Sequence, residues 1–219
     1  MELQELHKKL QNHLNEQKNN WQSFIYAQEK GFYQGFDEIN INGCRSTEKR
    51  YANYCIEKYL KNDKSALDIG CNCGFFSLFV SRFLKHVDSV EINPHLVDIG
   101  NDVKDYLQIH NIQFHNFSFE DFQTDKQFDI VFSFANDSTI DGNTTFTFYE
   151  YIDKIKNLMS DDGLLIFESQ AEDVLDEEKF IPKYEYLQKQ FKIIDERIID
   201  SEYPVNVPTR FFLILQKIP

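Results

Sequence analysis

One stretch limits this chain more than any other: Ala66-Leu67-Asp68-Ile69-Gly70-Cys71-Asn72-Cys73-Gly74-Phe75-Phe76. An apolar strand that closes near an acidic residue, turns through Gly-x-x-x-Gly and enters a helix sets bare backbone beside a helix N-terminus. That is where a small cofactor can be held. The next apolar run, Val87-Asp88-Ser89-Val90-Glu91, ends on Glu91, 17 residues beyond Gly74. The kind of cofactor follows from what the turn lacks. A dinucleotide fingerprint, Gly-x-Gly-x-x-Gly, needs its second and third glycines for close approach of a pyrophosphate and tight helix packing. Counted from Gly70, those positions hold Asn72 and Phe75. A nucleotidase phosphate loop fails as well, because no Gly-Lys-Ser/Thr follows the turn. What remains is a ligand with a ribose and no need for phosphate.

Around this motif the chain reads as an α/β protein. From Ser65 onward, short β-rich runs alternate with helical patterns, as expected for a mainly parallel sheet covered on both faces. The predicted strands are Ala66 to Ile69, Val87 to Ile92, Ile112 to His115, Phe128 to Phe134, Leu164 to Glu168, Ile193 to Ile199 and Arg210 to Gln216. Helices are predicted to start near Phe75, Pro94, Thr145 and Asp173. The segment between the last two strands has no helix signal and cannot readily make a parallel crossover, so the final strand should run antiparallel. The fold class is thus a three-layer α/β/α sandwich with seven strands.

Residues 1–45 read as a helical N-terminal extension or lid, and residues 46–219 as the main domain. In the extension, Leu3, Leu6, Leu10, Leu14, Trp21 and Ile25 recur on one helical face, which could pack on the domain, cover the site or join two copies as a homodimer. Gly31-Phe32-Tyr33-Gln34-Gly35-Phe36 and Ile39 to Gly43 predict a loop or short hairpin whose aromatics line a pocket mouth. Ser46 and Thr47 should cap a helix running to about Tyr59.

The motif Leu67-Asp68-Ile69-Gly70-Cys71-Asn72-Cys73-Gly74, with Glu91 in register behind it, resembles the glycine-rich first motif of class I S-adenosylmethionine-dependent methyltransferases, a Rossmann-like family. The resemblance runs from about Tyr51 to the C-terminus. It implies S-adenosylmethionine as cofactor, with its methionine end on the turn at Asp68, Gly70, Asn72 and Gly74. Glu91 would accept the two ribose hydroxyls, Ile92 would cover an adenine face, and Ser118-Phe119 would meet the ring edge, with Phe134 nearby. The acceptor site would lie past the fourth and fifth strands, where Asp137 and then Glu168 are the candidate bases and Asn136 and Gln170 candidate contacts.

No Asn/Asp-Pro-Pro-aromatic motif for amino methylation follows Phe134, which favours an oxygen acceptor. Arginines in an acidic chain suit anionic substrate groups, so Arg45 and Arg210, with Tyr203 in the rigid loop before the last strand, are candidate substrate contacts. The run Gly43-x-Arg45-x-Thr47-x-x-Arg50-Tyr51 is similar to methyltransferases of bacterial surface-polysaccharide biosynthesis, which implies a nucleotide- or phosphate-linked sugar as acceptor. A nitrogen on a small metabolite or RNA is the runner-up, and a non-catalytic cofactor-binding subunit is the reading from another class.

With 23 basic and 36 acidic residues, the net charge of -13 opposes binding to a polyanion and argues against DNA and RNA partners. No apolar run approaches the ~20 residues of a membrane span, and the N-terminus lacks a signal peptide's features, so a cytoplasmic protein is expected. Cys71-x-Cys73 has no second Cys or His pair at zinc spacing, so Cys44, Cys55, Cys71 and Cys73 read as reduced thiols and no metal is expected.

Overall fold

The computed structural model describes residues 1–29 and 31–218. The first helix, α1 (Leu3–Asn20), leads through an irregular stretch to two short strands, β1 (Phe32–Gly35) and β2 (Gly43–Ser46), and then to α2 (Thr47–Tyr54). The alternating region follows as β3 (Ser65–Ile69), α3 (Phe75–Ser81), β4 (His86–Glu91), α4 (Pro94–Tyr106), β5 (Ile112–Asn116), β6 (Phe128–Phe134) and α5 (Phe148–Leu158). It ends with β7 (Met159–Glu168), α6 (Ala171–Leu175), α7 (Glu177–Gln190), β8 (Phe191–Asp200) and β9 (Thr209–Lys217).

Helix starts follow from capping chemistry. Ser46 Oγ accepts the Lys49 N–H at 3.3 Å, Asn93 Oδ1 accepts that of His95 at 3.1 Å ahead of Pro94, and Thr147 and Glu150 form a reciprocal capping box at α5.

β3 to β9 form one sheet in the order β5-β4-β3-β6-β7-β9-β8. β3 pairs in parallel with β4 on one side and β6 on the other, and β9 runs antiparallel to both β7 and β8. This is the seven-stranded Rossmann-like sandwich expected from the sequence. The strand order reverses at β3, with β4 and β5 added on one side and β6 and β7 on the other, so the crevice beyond the carboxyl ends of β3, β4 and β6 is a topological switch point, where such sheets bind ligands.

Two apolar clusters bury the sheet faces. One packs Leu78, Val80, Val87, Ile99, Ile130 and Ile166 with α1 residues, and the other packs Leu67, Val131, Ile152, Ile155 and Leu213.

Three local expectations are corrected. The 31–43 segment is not a hairpin: β1 and β2 pair in parallel, with Gln34 opposite Arg45, because the chain closes on itself between them at Phe36 and Ile41 before resuming its direction. The helix at Ser46 stops at Tyr54, since Cys55 adopts a left-handed conformation. The N-terminal helix ends before Trp21, after Asn19-Asn20, residues of modest helix propensity. Its stripe of Leu6, Leu10 and Leu14 is buried, and α1 lies against α4 of its own chain, with Lys9 and His13 both paired to Asp102 on α4 at 2.5 and 2.8 Å. Among the described residues no helix is long and apolar enough to cross a membrane.

Candidate active site

The switch point opens into a cleft at the carboxyl ends of these strands. Its floor is the turn after β3. Gly70 has φ +61° and Gly74 φ +68°, a region costly for any residue with a Cβ. A Cβ on Gly70 would stand 2.5 Å from Asn136 Oδ1, and one on Gly74 only 2.2 Å from the Phe114 ring. The turn is clipped from outside the motif by Gln34 of β1, whose Nε2 donates to Cys71 O at 3.0 Å while its Oε1 accepts the Phe75 N–H at 2.9 Å.

Two carboxylates stand on the inner wall. Asp68 accepts a hydrogen bond from Ser77 Oγ, and burial, opposed by Ser77 and the Arg50 charge, pushes its pKa up to about 6. Glu91 accepts the N–H of Asn72 and the N–H of Asn93, each at 2.9 Å. Burial lifts its pKa to about 7, although those amides favour the charged form. Asn136 also lines the cleft and donates from Nδ2 to Ile69 O, while Phe134 packs 4.8 Å from Tyr54 and 5.1 Å from Phe76, ring centre to ring centre.

At the mouth stand Trp21, Phe24, Tyr26 and Tyr33, with Phe24 and Tyr26 rings 4.9 Å apart and Tyr26 and Tyr33 5.7 Å apart. Tyr33 fulfils the mouth expectation; Phe32 and Phe36 instead pack on Phe75 in the interior. The loop after β6 meets this wall, where Ser23 Oγ donates to Asp141 O at 2.8 Å. Asp141 and Asn143 complete the lining.

Several expected site residues sit elsewhere. Glu168 and Asp137 do not line the cleft. Glu168 is wholly buried and ion-paired to Arg45 at 2.8 Å, accepts the Tyr54 hydroxyl, and has Arg210 Nε at 3.9 Å. Burial would raise its pKa, but the Arg45 guanidinium holds it below the ordinary carboxylate value. Asp137 is paired with Lys183 of α7 at 2.6 Å, and Lys183 also reaches Asp173 at 2.8 Å. Both carboxylates are thus paired with cations, Glu168 with buried Arg45 and Asp137 with half-buried Lys183, and neither belongs to the cleft lining.

Arg210 spends Nη1 and Nη2 on the carbonyls of Val207, Thr209 and Tyr203 and holds the loop before β9; the Tyr203 ring packs edge-on against Tyr33. Gln170 donates to Ala135 O at 2.7 Å and Ser138 O at 2.6 Å, tying β7 to the β6 exit. Ser118 Oγ donates to Asp121, and neither Ser118, Phe119 nor Ile92 lines the cleft. Arg45 does, beside Arg50, whose guanidinium lies over the Tyr54, Phe76 and Phe134 rings.

Gln34, Arg50, Tyr26, Asp141 and Asn143 went unassigned from sequence. Only the aromatic run near Tyr33 hinted at this wall. Among the described residues no group of three or more His, Cys, Asp or Glu side chains is placed to hold a metal ion.

The sheet order and bare-backbone turn define a Rossmann-like α/β protein with a site suited to a nucleoside ligand. A profile of the methyltransferase domain family matches residues 60–202, and the chain belongs to that family, as an S-adenosylmethionine-dependent methyltransferase of class I. Its fold is similar to that of the N-methyltransferase NodS from Bradyrhizobium japonicum WM9, solved with S-adenosyl-L-homocysteine, at a TM-score of 0.66, 12% identity, and 98% and 99% coverage of this chain and that one. A class I methyltransferase from Listeria monocytogenes aligns at 0.66, with 17% identity over 100% of this chain and 71% of its own. A tRNA m1G37 methyltransferase from M. jannaschii aligns at 0.54, with 17% identity over 77% and 49%.

The residues present fit the cofactor. Asn72 and Asn143 belong to the cleft lining, and Asn72 Oδ1 and Asn143 Nδ2 are buried with no hydrogen-bond partner among the described residues, so each is a polar group that a ligand could satisfy.

Proposed function

We propose that this enzyme methylates a hydroxyl of a small polar acceptor, with a phosphate- or nucleotide-linked sugar as the class to test first. The observation that carries the small acceptor is the aromatic mouth. Trp21, Phe24, Tyr26 and Tyr33, tied to the loop after β6 through Ser23 and Asp141, line the cleft with flat aromatic faces of a size suited to a small molecule. The net charge of -13 gives a long nucleic acid no general attraction. Arg45 supports an anionic group on the acceptor, since its Nε is buried in the lining without a partner.

When bound, S-adenosylmethionine supplies an electrophilic methyl group on a sulfonium. In this proposal the Gly70 to Gly74 turn and Asn72 hold the amino-acid end, Glu91 accepts the ribose hydroxyls, and residues 1–45 act as the lid. The acceptor oxygen takes the methyl as the sulfur–methyl bond breaks and gives up its own proton to solvent at the cleft entrance, and catalysis comes from positioning and from limiting water around the reacting atoms. A second reading, a nitrogen acceptor, draws on the same wall: aromatic faces beside the Asp141 carboxylate suit an ammonium group.

Methyl transfer from labelled S-adenosylmethionine to a panel of sugar phosphates, nucleotide sugars, amines and RNA tests these readings, with the methylated atom located by NMR. Label on a sugar oxygen supports the proposal. Label only on amines, or label that RNase abolishes, overturns it.

A further inference from the structure

Asn143, in the loop between β6 and α5, is 2% exposed and lines the cleft. Its Oδ1 accepts the Phe119 N–H at 3.0 Å, and its own N–H donates to Asp141 Oδ1 at 3.0 Å. The first bond fixes the carboxamide's direction, because only the oxygen can accept. Nδ2 is thereby turned the other way, and no described residue accepts from it. Leaving a buried donor unmade costs roughly 1–3 kcal/mol, so it needs a reason.

The position suggests one. Gly142 lies over Ile92, where a Cβ on the glycine would stand 3.9 Å from Ile92 Cδ1, while Asn143 reaches Phe119 beyond β5. The loop therefore bridges the segments after β4 and β5, which would flank the heterocycle of a nucleoside whose ribose sits on Glu91. It also occupies the Phe119 amide, so that amide cannot read the ring edge.

We propose that the Asn143 carboxamide reads it instead, with Nδ2 donating to an unprotonated ring nitrogen of the cofactor's adenine. The hydrogen bond to Phe119 sets the angle, and Asp141 holds the backbone. This rests on the cofactor site described under the proposed function. A purine that lacks that nitrogen, or carries a proton on it, offers no acceptor and binds less well.

The test is calorimetric binding of S-adenosylhomocysteine and of its 1-deaza, 3-deaza and 7-deaza analogues. Wild type should bind one of the three roughly five- to tenfold more weakly than the parent. Asn143→Asp keeps an acceptor for Phe119 but removes the donor, and Asn143→Ala removes both. In each variant the parent should bind at least fivefold more weakly, and the penalty for that one analogue should vanish. Ratios within one variant do not depend on how much of it is folded. The same analogue penalty in wild type and both variants would overturn the proposal, as would tighter binding of the parent by Asn143→Ala, which would make the side chain a plug. If wild type binds the analogues but not the parent, the adenine assignment falls. If it binds none of the four, the cofactor site falls and this inference with it.

Discussion

Glu91 concentrates the chemistry of the cofactor site in one side chain. A carboxyl raised from its ordinary value near 4.5 to about 7 reverses the usual acidic case: the folded protein holds the proton more tightly than the unfolded chain. Its cost to stability is therefore absent below about pH 4.5, grows through the interval, and is complete above about pH 7. The gap corresponds to at most about 3 kcal/mol. Glu91→Gln removes the titration but points an amide NH2 at one of the two buried N–H groups that the carboxylate accepts. What it should abolish is the fall in the wild-type urea midpoint between about pH 5 and pH 8. The same variant should lose at least tenfold in S-adenosylhomocysteine affinity, because an amide cannot accept two ribose hydroxyls as a carboxylate does. In wild type the affinity should rise from pH 6 to pH 8 as the carboxylate forms. A flat profile would mean that the charged oxygens do not meet the ligand. Glu91 was legible in sequence because it ends a strand at a fixed distance from the glycine turn. Gln34 was not, because a polar contact spanning 41 residues to Phe75 leaves no periodic trace.

The turn after β3 depends on an element outside its own motif. Because Gln34 satisfies Cys71 O and Phe75 N–H in the interior, Gln34→Ala strands both groups and should destabilise the protein by roughly 1–3 kcal/mol. Cofactor affinity should fall with it, since the turn loses its register; urea unfolding and calorimetry check the two effects. The end of β7 is held in a comparable way. Glu168 is the carboxylate set among Arg45, Arg50 and Arg210, and Glu168→Gln leaves buried guanidiniums without that counter-charge, a loss of roughly 3–5 kcal/mol in thermal or urea unfolding. Its pKa lies below the unfolded value, so its contribution is present above about pH 4.5 and fades as pH falls through the folded pKa. The wild-type advantage over the variant should shrink in acid.

The strands from β3 onward were readable from alternation and turn signals, as was the antiparallel β9 from its short approach. The parallel β1–β2 pair was not, because the bridge between Phe36 and Ile41 that redirects the chain is a tertiary feature. The arginines were legible as unusual residues, but their partner was not, since Glu168 lies 123 positions from Arg45.

Taken whole, the molecule couples its first helix to its cleft. α1 buries Leu6, Leu10 and Leu14, packs along α4, and ends where Gln17 and Trp21 enter the cleft lining. The leucine stripe was visible in sequence, but its partner was not: periodicity identifies a buried face without saying what covers it. Because α4 of the same chain lies along the stripe, a homodimer has no need of it. Leu10→Ala should cost about 2–5 kcal/mol, the range for truncating a fully buried leucine. The midpoint of thermal unfolding, in wild type and variant alike, should stay fixed as protein concentration is raised a hundredfold. A midpoint that climbs with concentration in wild type and not in Leu10→Ala would assign the stripe to a contact between copies. Under conditions where the variant remains folded, its affinity for S-adenosylhomocysteine should still fall severalfold, because loosening α1 from α4 displaces Gln17 and Trp21 from the mouth. Unchanged affinity would make α1 a structural brace that stops short of the cleft.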